Sequence, residues 1–390
     1  MVLPVRGDRT ARRLVAAGAA VAVFIGCWVV LHHWFYAHRP LSDVPIYQGY
    51  GNAIDHGLVP YRDFPVEYPP GALPVFVAPI RLHGYSDYAQ VFGWLMAAFG
   101  VGCIVVAALA GASRRALALI AVSPLLIGAM ALSRYDFWPT LLVVCALAAF
   151  VHDRHRWGWA ALGAAVVTKL FALVVVPLTV VWTLRRRGRR ELAVAASLGA
   201  AVVVAASLPF LILAPHGLWH SVSGQASRPL QVESLAASVL TTFSHPVVIN
   251  THGSFNLANE DGLAAVTTAL MLAVLVALWI GFARGPANGD RLVRYTAACV
   301  CTFVALGKVL SPQFLIWLVP LVPLVRGVRG IVASLLLVAA FVATQIFFPQ
   351  RYFEYVFQLH LAWVVLLRNL ILVALLVTLS LPGRERERSS

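Results

Sequence analysis

Charged residues are scarce in this chain. Asp, Glu, Lys and Arg make up only 12% of its 390 residues, whereas hydrophobic residues make up 60% and the mean hydropathy is +0.82. Soluble globular domains contain about 25% charged and about 45–50% apolar residues. The composition therefore excludes a soluble globular protein and predicts a polytopic membrane protein. Since each crossing needs about 20 apolar residues, the length leaves no room for a separate large soluble domain, and we expect one membrane domain over residues 1–390.

Lysine is almost absent. Lys169 and Lys308 are the only lysines, and arginine supplies the rest of the basic side chains behind a net charge of +14. The arginines lie in short clusters between apolar runs, a pattern typical of the cytoplasmic loops of membrane proteins. The positive charge is therefore interpreted as a sign of topology, and no nucleic-acid partner is expected.

Cysteine is sparse, and its positions do not indicate a metal site or a disulfide. All five cysteines fall inside apolar segments and none has metal-ligand spacing; they are Cys27, Cys103, Cys145, Cys299 and Cys301. The sequence therefore indicates neither a disulfide framework nor a zinc site.

The apolar runs predict about twelve crossings with both termini in the cytoplasm. The runs are 14–33, 88–111, 116–132, 137–151, 157–169, 170–184, 191–213, 261–283, 293–309, 312–326, 330–348 and 360–382. Alternating them places most arginines inside. Residues 71–82 are apolar but too short to cross, and we interpret them as re-entrant or interfacial.

The stretch 157–182 is apolar throughout, yet arginine clusters flank it on both sides. Because both flanks favour the cytoplasm, the chain is predicted to go out and return, with its turn near Lys169. Each arm would rise about 20 Å, less than the hydrocarbon core of about 30 Å, which is tolerated where helices line a water-filled cavity. The alternative is a single tilted helix with a snorkelling lysine.

Two long polar stretches, 34–87 and 215–260, fall outside in this topology. The first combines acids with tyrosines, namely Asp43, Asp55, Asp63 and Glu67 among Tyr47, Tyr50, Tyr61 and Tyr68. Aromatic faces pack on sugar C–H groups and carboxylates accept hydroxyl protons, so the composition suits a polyhydroxylated ligand. An interfacial aromatic belt is the alternative, and it explains the tyrosines but not the acids.

The few outward-facing cations are the candidates for binding a lipid phosphate. They are Lys169, Lys308, Arg134 and Arg228. For any single one, snorkelling or a structural ion pair is the alternative, and Arg134 with Asp136 in the segment SRYDFWP could form such a pair.

Several short motifs in a fixed order resemble one family. They are GLVPYRDF followed by EYPPG, the turn Arg134-Tyr135-Asp136, Lys169 followed by Pro177, RPLQVES after residue 227, and SPQF at 311–314. Together they resemble the GT-C membrane glycosyltransferases, and most closely glycosyltransferase family 87, the bacterial mannosyltransferases that use polyprenyl-phosphate mannose. The resemblance covers most of the chain.

The resemblance implies an all-α polytopic helical bundle with a cavity at the outer face of the bacterial plasma membrane. It also implies inverting transfer of a hexose, expected to be mannose, from a polyprenyl-phosphate donor to a lipid-linked or cell-envelope glycan acceptor. Asp43 takes the position of the general base, and Lys169, Arg228, Lys308 and Arg134 are assigned to the donor phosphate. The residues assigned to sugar or acceptor are Tyr47, Tyr61, Asp63, Glu67, Tyr68, Asp136, Gln231, Glu233 and Gln313.

No Asp-x-Asp pair occurs in the first loop, so neither a cofactor nor a divalent metal is expected. The alternative is that Asp43 shares an ion with Asp63 or Glu67 if the loop folds back. A transporter or flippase of a lipid-linked sugar is the main alternative function. Carriers are commonly built from internal repeats, and no convincing similarity relates the two halves of this chain. A non-catalytic scaffold leaves the outer acids and lysines unexplained.

Overall fold

The structure is a computed structural model and describes residues 6–36 and 43–381. The terminal residues 1–5 and 382–390, predicted to be cytoplasmic, lie outside the described residues. Residues 37–42, in the first predicted outer loop, also lie outside them.

The described chain folds as a helical bundle. Its helices are α1 (Arg6–Val30), α2 (Val44–Asp55), α3 (Leu73–His83), α4 (Tyr88–Leu109), α5 (Arg114–Ile127), α6 (Met130–Ser133), α7 (Phe137–Val151), α8 (His155–Thr168), α9 (Val176–Leu213), α10 (Pro215–Ala226), α11 (Leu235–Phe243), α12 (Asp261–Arg284), α13 (Gly289–Leu306), α14 (Leu318–Leu321), α15 (Gly327–Phe347), α16 (Tyr352–Gln358) and α17 (Ala362–Ser380). A π-helical turn, Leu31–Phe35, extends α1, and 3₁₀ turns cover Pro70–Ala72, Leu170–Val175 and Pro312–Trp317.

The bundle is helical as predicted, and the second predicted outer loop adds a short antiparallel sheet that was not predicted. Strands β1 (Val248–Thr251) and β2 (Ser254–Leu257) pair with Val248 opposite Leu257. His252 and Gly253 connect them, both with positive φ (51° and 66°). Two-residue turns of this kind match the twist of the flanking strands.

Six helices among the described residues are long and apolar enough to cross a membrane. They are Arg13–Phe35, Tyr88–Leu109, Leu170–Leu213, Asp261–Arg284, Gly327–Phe347 and Ala362–Ser380. The predicted number of about twelve crossings is not confirmed, because several predicted runs form shorter helices. The run 116–132 is divided where α5 ends at Gly128, and α7 has only 15 residues. Residues 71–82 form most of the 11-residue α3, which is largely buried.

The predicted reversal at Lys169 is confirmed. Helix α8 ends at Thr168, and Lys169 is extended (φ −159°, ψ 126°) before the chain returns through α9. Trp159 near the start of α8 donates from Nε1 to Oγ1 of Thr183 in α9, at 3.1 Å. The two helices are therefore antiparallel, and the single tilted helix is excluded.

A second reversal occurs within α9 at Gly188, whose backbone is not helical (φ 81°, ψ 179°). Two residues after this reversal contact α8. Glu191 lies 3.0 Å from Arg156, and the carbonyl oxygen of Gly199 would lie 2.3 Å from a Cβ on Gly163. Residues 189–213 thus run back along α8. Small residues permit this backbone approach, as is common between membrane helices.

The segments that carry the predicted site residues lie at one end of the bundle. Four segments meet there: the start of α2, the connection from α6 to α7, the tip between α8 and α9, and the 3₁₀ turn Pro312–Trp317. The EYPPG segment also reaches the tip, because a Cβ on Gly71 would lie 2.6 Å from Oγ1 of Thr168. Glycine is required at this contact, which places the first loop directly against Lys169.

Candidate functional site

Lys169 forms a buried ion pair at the tip of the helical hairpin. Its Nζ lies 2.6 Å from Oδ1 of Asp136, and the side chains are 14% and 1% exposed. Nε1 of Trp317 donates to the same carboxylate oxygen at 2.6 Å. The ammonium also lies 4.5 Å from the centre of the Tyr135 ring and 5.6 Å from that of Phe314. Asp136, predicted to contact sugar or acceptor, is buried and neutralises Lys169.

Asp43 forms an ion pair with Arg134. Oδ2 of Asp43 contacts Nη1 of Arg134, and the hydroxyl of Tyr47 donates to Oδ2 at 3.5 Å. The Asp43 side chain remains 17% exposed, whereas that of Arg134 is 9% exposed. Burial lowers the pKa of Arg134 to about 10, so it stays cationic at neutral pH. The arginine of the SRYD turn thus pairs with Asp43, and the aspartate of the same turn pairs with Lys169.

The two ion pairs belong to one cluster. Arg134 and Asp136 are two residues apart, which holds Asp43 and Lys169 at the same end of the bundle. Burial lowers the pKa of Lys169, and the positive charges of Arg134 and Arg228 lower it further, while Asp136 opposes them. The predicted base and three of the four predicted phosphate-binding cations are therefore brought together.

The two predicted outer loops contact each other beside this cluster. Nε2 of Gln225 donates to the carbonyl of Glu67 at 3.1 Å, and a Cβ on Gly253 would lie 2.8 Å from Oε1 of Glu67. Arg228 donates from Nη2 to Oγ of Ser254 at 2.8 Å. Burial lowers the pKa of Arg228, and the charge of Glu67 partly offsets this. Glu67 and Arg228 thus lie at the junction of the loops.

The tyrosines of the first loop are packed together rather than presented to solvent. Tyr47 is 1% exposed and stacks on Phe76 with ring centres 4.6 Å apart. Tyr61 is 6% exposed and donates from its hydroxyl to the carbonyl of Tyr68 at 2.6 Å. The rings of Tyr47 and Tyr61, both predicted to contact sugar or acceptor, are therefore covered by neighbouring residues. Tyr68 is half-buried, with its ring centre 5.0 Å from that of Tyr135.

Glu233 is buried where the second loop contacts the last helix. Its side chain accepts from Nε2 of Gln231 at 3.0 Å, and its carbonyl accepts from Arg368 at 3.0 Å and Asn369 at 3.1 Å. Both Gln231 and Glu233 are nearly inaccessible (3% and 1%). These two residues, predicted to contact sugar or acceptor, lie where the loop joins the bundle. Burial raises the pKa of Glu233 to about 8, against the positive charges of Arg368, Arg134 and Arg228.

Arg368 is a buried residue for which no role was predicted from the sequence. It lies inside α17 and is completely buried. An arginine within a membrane helix is costly and is normally paired inside the bundle, so its position in an apolar run was the available signal. Its partner Glu233 is 135 residues away, and only the fold connects them.

Asp63 and Gln313 have partners close in sequence, and Lys308 contacts the second loop. Asp63 is paired with Arg62 and accepts from the amide of Val59 at 2.8 Å. These contacts, the Arg62 guanidinium first, lower the pKa of Asp63 to about 2. Lys308 donates to the carbonyl of Ala226 at 2.7 Å. Gln313 accepts from the hydroxyl of Ser311. Asp63 therefore orders its own loop.

The described residues contain no group of three or more His, Cys, Asp or Glu side chains that could hold a metal ion.

A pH dependence of stability follows from Glu233. Its pKa is about 8 in the folded protein against an ordinary value of 4.5, so between these values the folded state binds more protons than the unfolded state. Stability should therefore fall as pH rises, by as much as about 1.4 kcal/mol per pH unit. We expect the thermal midpoint of the detergent-solubilised protein to fall between pH 5 and 8.

The variant Glu233→Gln should flatten this pH dependence, because the amide does not titrate. Glu260→Gln, in the same loop, serves as the control and should keep the wild-type slope. An unchanged slope in Glu233→Gln would show that another group is responsible.

Comparison of folds shows similarity to ArnT from Cupriavidus metallidurans. The structure bound to undecaprenyl phosphate has a TM-score of 0.50 and 15% identity, and the match covers 95% of this chain and 77% of that chain. The apo structure gives the same TM-score and coverage at 14% identity. The bundle is thus a GT-C fold.

Comparison of sequences places the chain in a family. No curated protein matches it. The model of glycosyltransferase family 87 matches residues 66–312, more than half of the chain, from the EYPPG segment to the start of SPQF. The chain therefore belongs to glycosyltransferase family 87.

Proposed function

We propose that this protein is an inverting glycosyltransferase. It moves a hexose, mannose in our proposal, from a polyprenyl-phosphate donor to a lipid-linked or cell-envelope glycan acceptor. Family membership and the GT-C fold support a membrane glycosyltransferase that depends on polyprenyl phosphate. The choice of mannose rests on the resemblance to the mannosyltransferases of family 87.

The proposal rests on two ion pairs that lie next to each other at one end of the bundle. Asp43 contacts Arg134, and Lys169 contacts Asp136 two residues further on. A carboxylate that can accept a proton thus lies beside cations that can hold a phosphate. A displacement at an anomeric carbon with a phosphate leaving group needs both.

In the proposed step, Asp43 accepts the proton of an acceptor hydroxyl as its oxygen attacks the anomeric carbon. The bond between that carbon and the phosphate oxygen breaks, and its electrons leave with polyprenyl phosphate. Attack from the face opposite the phosphate inverts the anomeric configuration. Lys169, Arg134 and Arg228 stabilise the growing phosphate charge, so no protonating acid is required.

Arg134 links donor binding to base activation in this scheme. Its guanidinium contacts Asp43, and an arriving phosphate competes for the same donors. Phosphate and carboxylate are both bound well by arginine. Donor binding would therefore draw Arg134 from Asp43 and leave the carboxylate able to accept a proton only when a donor is present.

We also propose that the site faces away from the cytoplasm. Arg114, Arg185 and Arg329 lie at the end of the bundle opposite Asp43 and Lys169. Arginine-rich ends favour the cytoplasmic side. In this orientation, a lipid-linked donor enters the site from the outer leaflet.

The donor class is tested by transfer from purified substrates. Membranes containing the protein should move labelled mannose from polyprenyl-phosphate mannose to endogenous glycolipid, with or without a metal chelator. Membranes containing Asp43→Asn serve as the control. Equal or greater transfer from a nucleotide-linked mannose, with polyprenyl-phosphate synthesis blocked, would overturn the proposal.

A further inference from the structure

A cleft of about 1790 Å³ opens at the end of the bundle opposite the candidate site. It lies among the starts of α5, α13 and α15 and the segment 323–326. Helix α13 begins in the cleft and ends two residues before Lys308. Its 18 residues rise about 27 Å, so the cleft and the candidate site are separated by about the thickness of the hydrocarbon core.

The cleft is strongly cationic. Seven arginines line it and Asp290 is the one acidic residue in its described lining; the arginines are Arg114, Arg115, Arg186, Arg291, Arg294, Arg326 and Arg329. Some have partners already, since Arg186 pairs with Asp153 and Arg326 with Asp290. Within the described chain, Arg114, Arg115 and Arg329 form no ion pair with a carboxylate. The positive charge of the cleft is therefore only partly compensated.

Helix ends add to the same potential. Helices α5, α13 and α15 all begin at the cleft. The first backbone amides of a helix lack intrahelical partners, and the helix dipole is positive there. Ser113 and Asn288 each cap one amide, in α5 and α13. The three positive helix ends beside arginine side chains still favour an anion with several acceptor oxygens, such as a phosphate.

The inner wall of the cleft is apolar. It is lined by Leu119, Val144, Leu147, Leu335 and Val338, which lie on α5, α7 and α15. A soluble anion would not cover this wall, whereas a lipid presents an anionic head and an apolar chain together. Basic pockets between membrane helices are a recurrent mode of binding anionic lipid head groups.

We propose that this cleft binds the phosphate head group of an anionic membrane phospholipid. Its acyl chain packs on the apolar wall, and Arg114, Arg115 and Arg329 contact the phosphate. An orientation signal alone requires arginines on one side of the membrane, but it does not require them to surround one cleft. This site is separate from the proposed transfer reaction and does not depend on it.

The chain supplies a matched control. Arg187, Arg189 and Arg190 are exposed at the same end of the bundle but do not line the cleft. Replacing these three by glutamine removes the same charge as Arg114→Gln, Arg115→Gln and Arg329→Gln. A difference between the two triple variants therefore measures the effect of the cleft arginines and not that of the general charge of this surface.

The test measures binding of fluorescent phosphatidylglycerol and phosphatidylcholine to the full-length protein in neutral detergent. We expect saturable phosphatidylglycerol binding at least tenfold tighter than phosphatidylcholine binding. The cleft triple variant should lose at least tenfold in affinity, and the control triple variant should stay within twofold of wild type. A third variant with lysine at the three cleft positions should retain most of the affinity, because it keeps the charge.

Three results would overturn the proposal. They are equal affinity for both lipids, equal losses in the two glutamine variants, or displacement of the lipid by inorganic phosphate at the concentration at which unlabelled phosphatidylglycerol displaces it. The last result would indicate a site for a free anion. The thermal midpoint of each variant identifies misfolding, and the lysine variant tests the charge if the glutamine variant is unstable. Glycosyl transfer is not measured, so the proposed function and this site can fail independently.

Discussion

The variant Asp43→Asn is expected to lower the rate of glycosyl transfer by about 10²–10⁴-fold, the usual contribution of a positioned general base. The asparagine amide keeps the size of the side chain but cannot take the proton of the acceptor hydroxyl. The loss should appear in kcat. The KM for the donor should not rise, because other residues hold the phosphate and the neutral asparagine competes less with it for Arg134. Transfer of labelled sugar from polyprenyl-phosphate mannose measures it.

Asp63→Asn is the matched control for this variant. Asp63 lies in the same loop, but it is paired with Arg62 and orders the chain locally. Its substitution should leave transfer within about twofold, since exposed ion pairs contribute little. Near-normal turnover in Asp43→Asn, with a wild-type thermal midpoint, would reject Asp43 as the base.

Lys169→Met is expected to affect both stability and transfer. It leaves the buried Asp136 carboxylate with Trp317 but without its cation. Breaking a buried pair from one side costs about 3–5 kcal/mol, so the thermal midpoint should drop. Transfer should also fall by about 10²–10³-fold if Lys169 stabilises the leaving phosphate, the usual effect of removing one such group.

The double variant Lys169→Met with Asp136→Asn separates the two effects. The second substitution removes the uncompensated charge, and the asparagine carbonyl can still accept from Nε1 of Trp317. Most of the stability should therefore return while transfer stays low. If the double variant recovers both stability and transfer, Lys169 serves only to neutralise Asp136 and has no role at the phosphate.

The sequence predicted the hairpin because charge alone specifies it. Arginine clusters on both sides of 157–182 require the same side of the membrane, and the structure reverses at Lys169. The same reasoning predicted that Asp43, Arg134 and Lys169 lie at one end of the bundle. Flanking charge predicts which helix ends lie together, because the side of the membrane that a helix end favours depends on flanking charge and not on detailed packing.

The pairing of the charges could not be predicted. Arg134 and Asp136 are two residues apart, and the sequence suggested that they could pair with each other. Arg134 is extended, however, while Asp136 immediately precedes α7, and their side chains contact different partners. The contact of Arg368 with Glu233 spans 135 positions and depends entirely on how the second loop packs against α17.

The number of membrane crossings could not be predicted from the sequence either. Apolar composition shows that a run is compatible with lipid, but it does not show how long the helix is. Helices α7 and α8 have 15 and 14 residues, fewer than the roughly 20 that span a bilayer. They pack against neighbouring segments of the bundle, which removes the need to span it fully.

The most direct test of the central claim is a cryo-electron microscopy map of the protein in nanodiscs with polyprenyl phosphate. We predict phosphate density within about 4 Å of Lys169 or Arg134, with Arg134 moved away from Asp43 and the Asp43 carboxylate open to the same space. Phosphate density found only in the arginine-lined cleft at the opposite end, with the Asp43–Arg134 pair unchanged, would contradict the account.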